Sequence, residues 1–308
     1  MFGLLKRSAL AKGRIGIAVD DDRLAVAVVS RDPAGAPSLA RCETHPVPKG
    51  GPEALAGALR AMDLPSAPVS GVLRARDYQL SLVESPDVPP AELRAAMRWR
   101  LRDAIDFRVE DAVIDVFDIP AQSRGTHGRM MYAVAARRSA VDWQAAAFGA
   151  LAAFDVVDVP ELCLRNLASL LTAAAQGIAM LHLGTDSASV VLVRGATFFF
   201  ARQMNLQAGL STGASGQLDP DNVLLELQRS LDYYERHFDQ PPITRVAVAP
   251  CGERARQLAA ELAHDSNFEV SVLDLNQLLT CTTPLADADQ ASVLMAVGAA
   301  LRREQRSL

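Results

Sequence analysis

Three carboxylates stand side by side at Asp20, Asp21 and Asp22, which is the first place to look for cation chemistry. All their oxygens would come from one short turn, whereas a bound cation draws oxygens from several directions. Gly209-Leu210-Ser211-Thr212-Gly213 has the G-x-S-x-G spacing of a nucleophile elbow. An elbow needs a strand straight before the serine and a helix straight after it; here more loop precedes the next helix signal, Asp219-Pro220. His45, His127, His182, His237 and His264 show no metal-ligand spacing, and the chain has no phosphate-binding G-x-x-x-x-G-K-S/T or G-x-G-x-x-G loop. No catalytic residue and no metal site are expected, and the chemistry left is recognition. Trp99 with Arg94, Arg98 and Arg102 joins the two side-chain types most enriched at interface hot spots, with the arginines at i, i+4 spacing.

A helix must position that group. Pro89 and Pro90 suit a first helical turn, and Leu93, Ala96, Met97, Leu101, Ala104 and Ile105 fall on one face at helical spacing, predicting a helix over 92–105. Trp99 then lies almost opposite the apolar centre, at about 100° of rotation per residue. Residues 112–119 are β-branched and aromatic and read as a strand. The unit is a helix on a strand with a Trp and an Arg row turned outward. The plainer alternative is a Trp packed under a neighbouring loop and a solvated charge row.

The chain has 308 residues, half of them hydrophobic, which suits two domains with sizeable cores. A net charge of −5 argues against a nucleic-acid partner held by phosphate contacts. Cys42, Cys163, Cys251 and Cys281 lie far apart with no C-x-x-C, as in a reduced, cytoplasmic protein. No apolar run approaches the roughly 20 residues of a membrane span. The start, MFGLLKRSALAKGR, lacks the order and length of a secretory signal. Phe2, Leu4 and Leu5 beside Lys6 and Arg7 read as a frayed start or a patch that touches a membrane surface or a partner.

Two strands are expected around the Asp20–Asp22 turn, a third over 39–47, a helix over 52–62, and strands over 69–73 and 79–83. After the helix–strand unit come a polar loop at 121–129, a strand over 130–136, an Ala-rich helix over 139–154, a short strand over 156–159 and a helix over 160–175. The second half starts again: strands over 178–183, 189–193 and 197–204, a loop at 208–216, a long helix to Phe238, then strand, helix, strand and a last helix over 290–301. Each half opens with a strand hairpin and continues through helices. Such duplication suits a two-lobed α/β protein with a cleft between its lobes.

Several stretches in this order resemble one family, the actin-like PilM proteins of type IV pilus assembly, and in particular its MSHA pilus branch. They are the opening MFGLLKR with its hairpin, AELRAAMRWRLRDAIDFRVEDAVIDVFDIP, YAVAARRSAVDWQAAAFGALAAFDVVDVPELCLRNL, LHLGTDSASVVLVRGATFFFARQM, LLELQRSLDYYERHF and ASVLMAVGAALRR. The resemblance implies an actin-like (ribonuclease H-like) α/β fold. Residues 1–176 would form the first lobe, with a small inserted subdomain at about 86–159; residues 177–289 would form the second, and 290–308 a helix returning to the first. It also implies a non-enzymatic cytoplasmic scaffold, peripheral to the inner membrane. Its partner would be the cytoplasmic N-terminal segment of a PilN-like bitopic membrane protein, held in a groove beside the insertion.

The family's ATP site carries over poorly. Its first hairpin reads D-x-G-S-x-S-x-K; here Ala18 takes the Asp place, Asp20 the Gly place and Ala25 the Lys place. His182 stands where the family has Asp, and the adenosine-side glycines are reduced to Ala249-Pro250-Cys251-Gly252. No cofactor is expected; if ATP with Mg binds, Gly184, Thr185, Ser187 and Gly252 are its contacts. The partner contacts would be Trp99, Arg94, Arg98 and Arg102. A tail with a basic end is repelled by these arginines unless they pair with Glu92, Asp103 or Asp106.

Overall fold

The computed structural model describes residues 13–119, 129–151, 153–184, 187–205 and 220–303. The N-terminal apolar–basic patch, the polar loop at 121–128, Thr185, and the 208–216 loop with its G-x-S-x-G spacing lie outside the described residues.

Strands β1 (Arg14–Val19), β2 (Arg23–Arg31) and β3 (Pro37–Pro46) form an antiparallel meander. After helix α1 (Gly51–Ala61), β4 (Val69–Val72) pairs parallel with β1. Period-two alternation sorts the two faces of this sheet. Ile15, Ile17, Val19, Leu24, Val26 and Val28 meet Leu55 and Leu59 of α1, while Ala25, Ala27 and Val29 enter the core shared with the second half. Between β4 and β8 (Phe154–Asp158), which pairs parallel with β4, the chain makes a separate small sheet. That sheet has strands β5 (Tyr78–Glu84), β6 (Ala112–Asp118) and β7 (Met130–Arg137) in the antiparallel order β5-β7-β6, and helix α2 (Pro90–Leu101) packs on one of its faces.

This boundary differs from the 86–159 read from sequence. The small sheet takes in β5 ahead of residue 86. Helix α3 (Arg138–Phe148) and β8 belong to the first lobe, because Ala147 and Phe148 bury against Ile15 and Leu55 and β8 completes the larger sheet. Helix α4 (Pro160–Ala168) then leads into the second half.

There the plan repeats. Strands β9 (Ile178–Leu183), β10 (Ser187–Arg194) and β11 (Thr197–Asn205) form a meander, and β12 (Arg245–Val248) and β13 (Glu269–Val272) join parallel to β9. Their order, β11-β10-β9-β12-β13, is that of β3-β2-β1-β4-β8. Helices α5 (Pro220–His237) and α6 (Glu253–Asp265) pack on this sheet. A short α7 (Leu275–Leu278) and β14 (Thr280–Cys281) follow, and β14 pairs with β3 at the edge of the first sheet.

The last helix, α8 (Asp287–Ala300), packs across β1, β2 and β4 and against α4. Two glycines permit this. A Cβ on Gly16 would overlap the carbonyl oxygen of Ala296, and a Cβ on Gly298 would sit 2.7 Å from Cys163. Arg302, just past α8, pairs with buried Asp158 of β8 at 2.9 Å.

Candidate functional site

Two places compete: the hairpin turns at the carboxyl ends of the parallel strands, and the outward face of α2. The turn between β1 and β2 is the acidic triplet. The Asp20 N–H donates to the Arg23 carbonyl at 2.8 Å, and the Asp21 N–H donates to the carboxylate of Asp20 at 3.0 Å. Both amides are thereby used within the turn. The Asp21 carboxylate receives both Nη atoms of Arg76, with Arg74 3.6 Å away. The Arg76 hydrogen bonds hold its carboxyl below the ordinary carboxylate range. A triphosphate needs free N–H groups and positive charge. These residues do not fit one: the Asp20 and Asp21 amides are satisfied, the side chains are acidic, and the Arg76 guanidinium is taken by Asp21.

On the second-lobe side, Gly184 follows β9 and Gly252 precedes α6. Since Leu181 and Val248 are register partners, both glycines lie at the same end of the sheet. Gly252 has φ 59° and ψ −138°, a conformation that a side chain disfavours, and open space where a Cβ would stand. Ser187 opens β10 opposite Asn205. Burial pushes His182 down to about 4, so it is neutral at pH 7. Among the described residues, no group of three or more His, Cys, Asp or Glu is placed to hold a metal ion.

The α2 face is built differently. Met97 and Leu101 are fully buried against Val109, Ala112, Ile114 and Met131, so the inward side of the helix is complete. Trp99 is 76% exposed. The regular helix ends at Leu101 instead of reaching Ile105, and the chain continues in turns whose Ala104 and Ile105 N–H groups both donate to the Leu101 carbonyl. Beyond it the chain curves around an open concavity of about 610 Å³ lined by Arg102, Asp103, Ile105, Asp106 and Phe107 among others.

The expected arginine row is not a row of free charges. Arg94 pairs with Asp115 at 3.5 Å, and Arg98 turns inward to donate to the Val109 carbonyl at 2.8 Å. Neither uses Glu92, Asp103 or Asp106. Arg100, which the i, i+4 spacing passed over, pairs with Glu84 at 3.7 Å. Arg102 lies 5.8 Å from the Trp99 ring centre, within cation–π range. Trp99 and Arg102 therefore form the accessible pair, while Arg94 and Arg98 fasten the helix to the strand and turn beside it.

A second recess went unnoticed in the sequence. Val19, Val72, Arg74, Asp77, Ala140 and Trp143 line a space of about 20 Å³, room for a single water, where the insertion leaves the first lobe. Gln144 borders it: its Nε2 donates to the Val72 carbonyl at 2.8 Å, and its buried Oε1 has no protein partner.

No family model matches the sequence, and no curated protein does. Solved structures match the fold over nearly the whole chain. A PilM–PilN type IV pilus biogenesis complex is 21% identical, with 94% of this chain and 98% of that chain covered and a TM-score of 0.68. A Bacteroides thetaiotaomicron protein with an actin-like ATPase fold and unknown function is 9% identical, with 96% and 98% covered and a TM-score of 0.51. With the repeated sheet order, these likenesses establish that the chain has the actin-like, two-lobed α/β fold.

Proposed function

We propose that the chain is a non-enzymatic, actin-like scaffold of a type IV pilus assembly machine of the MSHA type. It docks the cytoplasmic N-terminal segment of a PilN-like bitopic inner-membrane protein on the inserted subdomain, and so sits in the cytoplasm, peripheral to the inner membrane. The observation that carries this reading is Trp99, a large aromatic held outward on a helix whose inward side is already filled. Trp and Arg are the side chains most enriched at interface hot spots, and Arg102 stands beside this ring. A solved structure of like fold is a PilM–PilN type IV pilus biogenesis complex. Ion pairs of Arg94 with Asp115 and of Arg100 with Glu84 offset part of the charge that would repel a basic tail. No helix among the described residues is long and apolar enough to cross a membrane, so attachment would run through the partner. The test is calorimetric titration of the partner's cytoplasmic segment into wild type and Trp99→Ala. A well-folded variant with unchanged affinity would remove Trp99 from the site.

The second reading is a nucleotide switch, favoured by Gly184 and Gly252 at neighbouring strand ends. A ligand held only by the native state must raise the thermal midpoint. On the scaffold reading, millimolar Mg-ATP leaves the midpoint unchanged; a rise of several degrees supports the switch instead.

A further inference from the structure

The inserted sheet leaves the first lobe, yet its second face is built into the other lobe. Each of its three strands sends a side chain to β11, the edge strand of the second-lobe sheet. From β7, fully buried Tyr132 accepts a hydrogen bond at 2.9 Å from the Ala201 N–H of β11. From β6, Phe117 stacks on Tyr132 at 5.3 Å, and both rings meet Phe198 of β11 edge-on at 5.5 and 5.2 Å. From β5, the Tyr78 hydroxyl donates to Glu161 Oε2 at 2.6 Å, while Gln203 Nε2 of β11 donates to Glu161 Oε1 at 2.8 Å. Glu161 lies buried in the first turn of α4, the segment that joins the two lobes.

The root of the insertion is equally tied to the first lobe. Helix α3 continues from β7 without a linker. Leu73, Tyr78, Ala136 and Val159 share a small core, and Arg76 grips Asp21. Elsewhere the lobes are joined through α4 and α8, where the Asn166 side chain donates to the Gly298 carbonyl at 2.9 Å, and by the short pairing of β14 with β3. The insertion adds a further tie, to β11 at the edge of the second-lobe sheet, that restrains rotation about the helical joint.

We infer that the inserted subdomain is an interlobe strut, fixing the angle between the lobes through Tyr132, Phe117 and the Tyr78–Glu161–Gln203 junction. A ligand between two lobes would hold them in the same way; here the chain's own side chains do so. The strut holds whether or not the Trp99 face takes a partner.

The experiment places spin labels, carried on unnatural amino acids, at exposed Glu53 of α1 and Glu261 of α6 in the full chain. Pulsed electron resonance then reads the interlobe distance. Wild type should give one narrow distribution. Tyr132→Phe combined with Gln203→Ala keeps every ring and removes the polar ties; it should broaden the distribution or add a longer component. An unchanged distribution in the folded double variant overturns the strut. Should that variant fail to fold, amide exchange in the wild type decides. The Ala201 N–H should exchange at least tenfold more slowly than open edge amides of β13, and exchange at the same rate overturns the strut.

Discussion

Toward β11, the inserted sheet presents Tyr132, Phe117 and Tyr78 in contact with matched partners, and both hydroxyls are hydrogen-bonded. On the far side, beyond α2, Trp99 stands in solvent with Arg102 across its ring. The same few strands thus carry one face finished by the chain itself and one left open. The difference separates two kinds of aromatic. A ring whose edges and polar atoms are all met contributes to stability, whereas a ring held out on a completed helix contributes little to stability and is available for binding.

Substitution breaks the comparison most sharply at Tyr132. Tyr132→Ala leaves a cavity and strands the Ala201 amide, and should cost about 3–5 kcal/mol in denaturant unfolding. Trp99→Ala should change stability by no more than about 0.5 kcal/mol, while costing about 2 kcal/mol of partner affinity by calorimetry. If the two substitutions destabilised the fold equally, the two faces would not differ in kind.

A subtler effect belongs to Glu161. Burial raises its carboxyl above the ordinary range, and Tyr78, Gln203 and its own backbone N–H only partly offset this. Asp158 adds to the rise, while Tyr78, itself pushed well above 10, stays protonated and remains a donor. The folded state therefore binds this proton more tightly than the unfolded chain does. Its stabilising contribution is full below the unfolded value and is lost as pH rises through the folded one. Thermal midpoints of wild type should fall between pH 5 and 8 relative to those of Glu161→Gln, which cannot titrate; parallel profiles would contradict the assignment. Smallest of all, Arg102→Ala should weaken tail binding by less than about 1 kcal/mol, the range of an exposed cation–π contact.

The strands of the first sheet were legible because Ile15, Ile17 and Val19 alternate with small residues and Asp20–Asp22 marks the turn. Trp99 was legible because it stands opposite Met97 and Leu101 on a helical wheel. The arginines beside it were not. Arg98 goes to a carbonyl 11 residues away, and Arg94 to a strand that pairs only after folding. Spacing gives direction on a helix but not the partner that captures a long side chain. Asp21 read as a repelling carboxylate because Arg76, 55 residues on, is invisible to local pattern. The Glu161 junction joins residues 83 and 42 positions apart, and Glu161 itself looks like an ordinary acidic first-turn residue after Pro160. The helix boundary at Leu101 was overrun because Ala104 and Ile105 keep the apolar period after the backbone has turned.

The most direct test of the scaffold reading is a hydrogen-exchange footprint of the partner's cytoplasmic segment on the wild-type protein. Protection is predicted over Pro90–Leu101 and residues 102–110, with the Asp20–Asp22 turn and Gly252 unchanged. Protection confined to that turn and the start of α6, with none on α2, would contradict it.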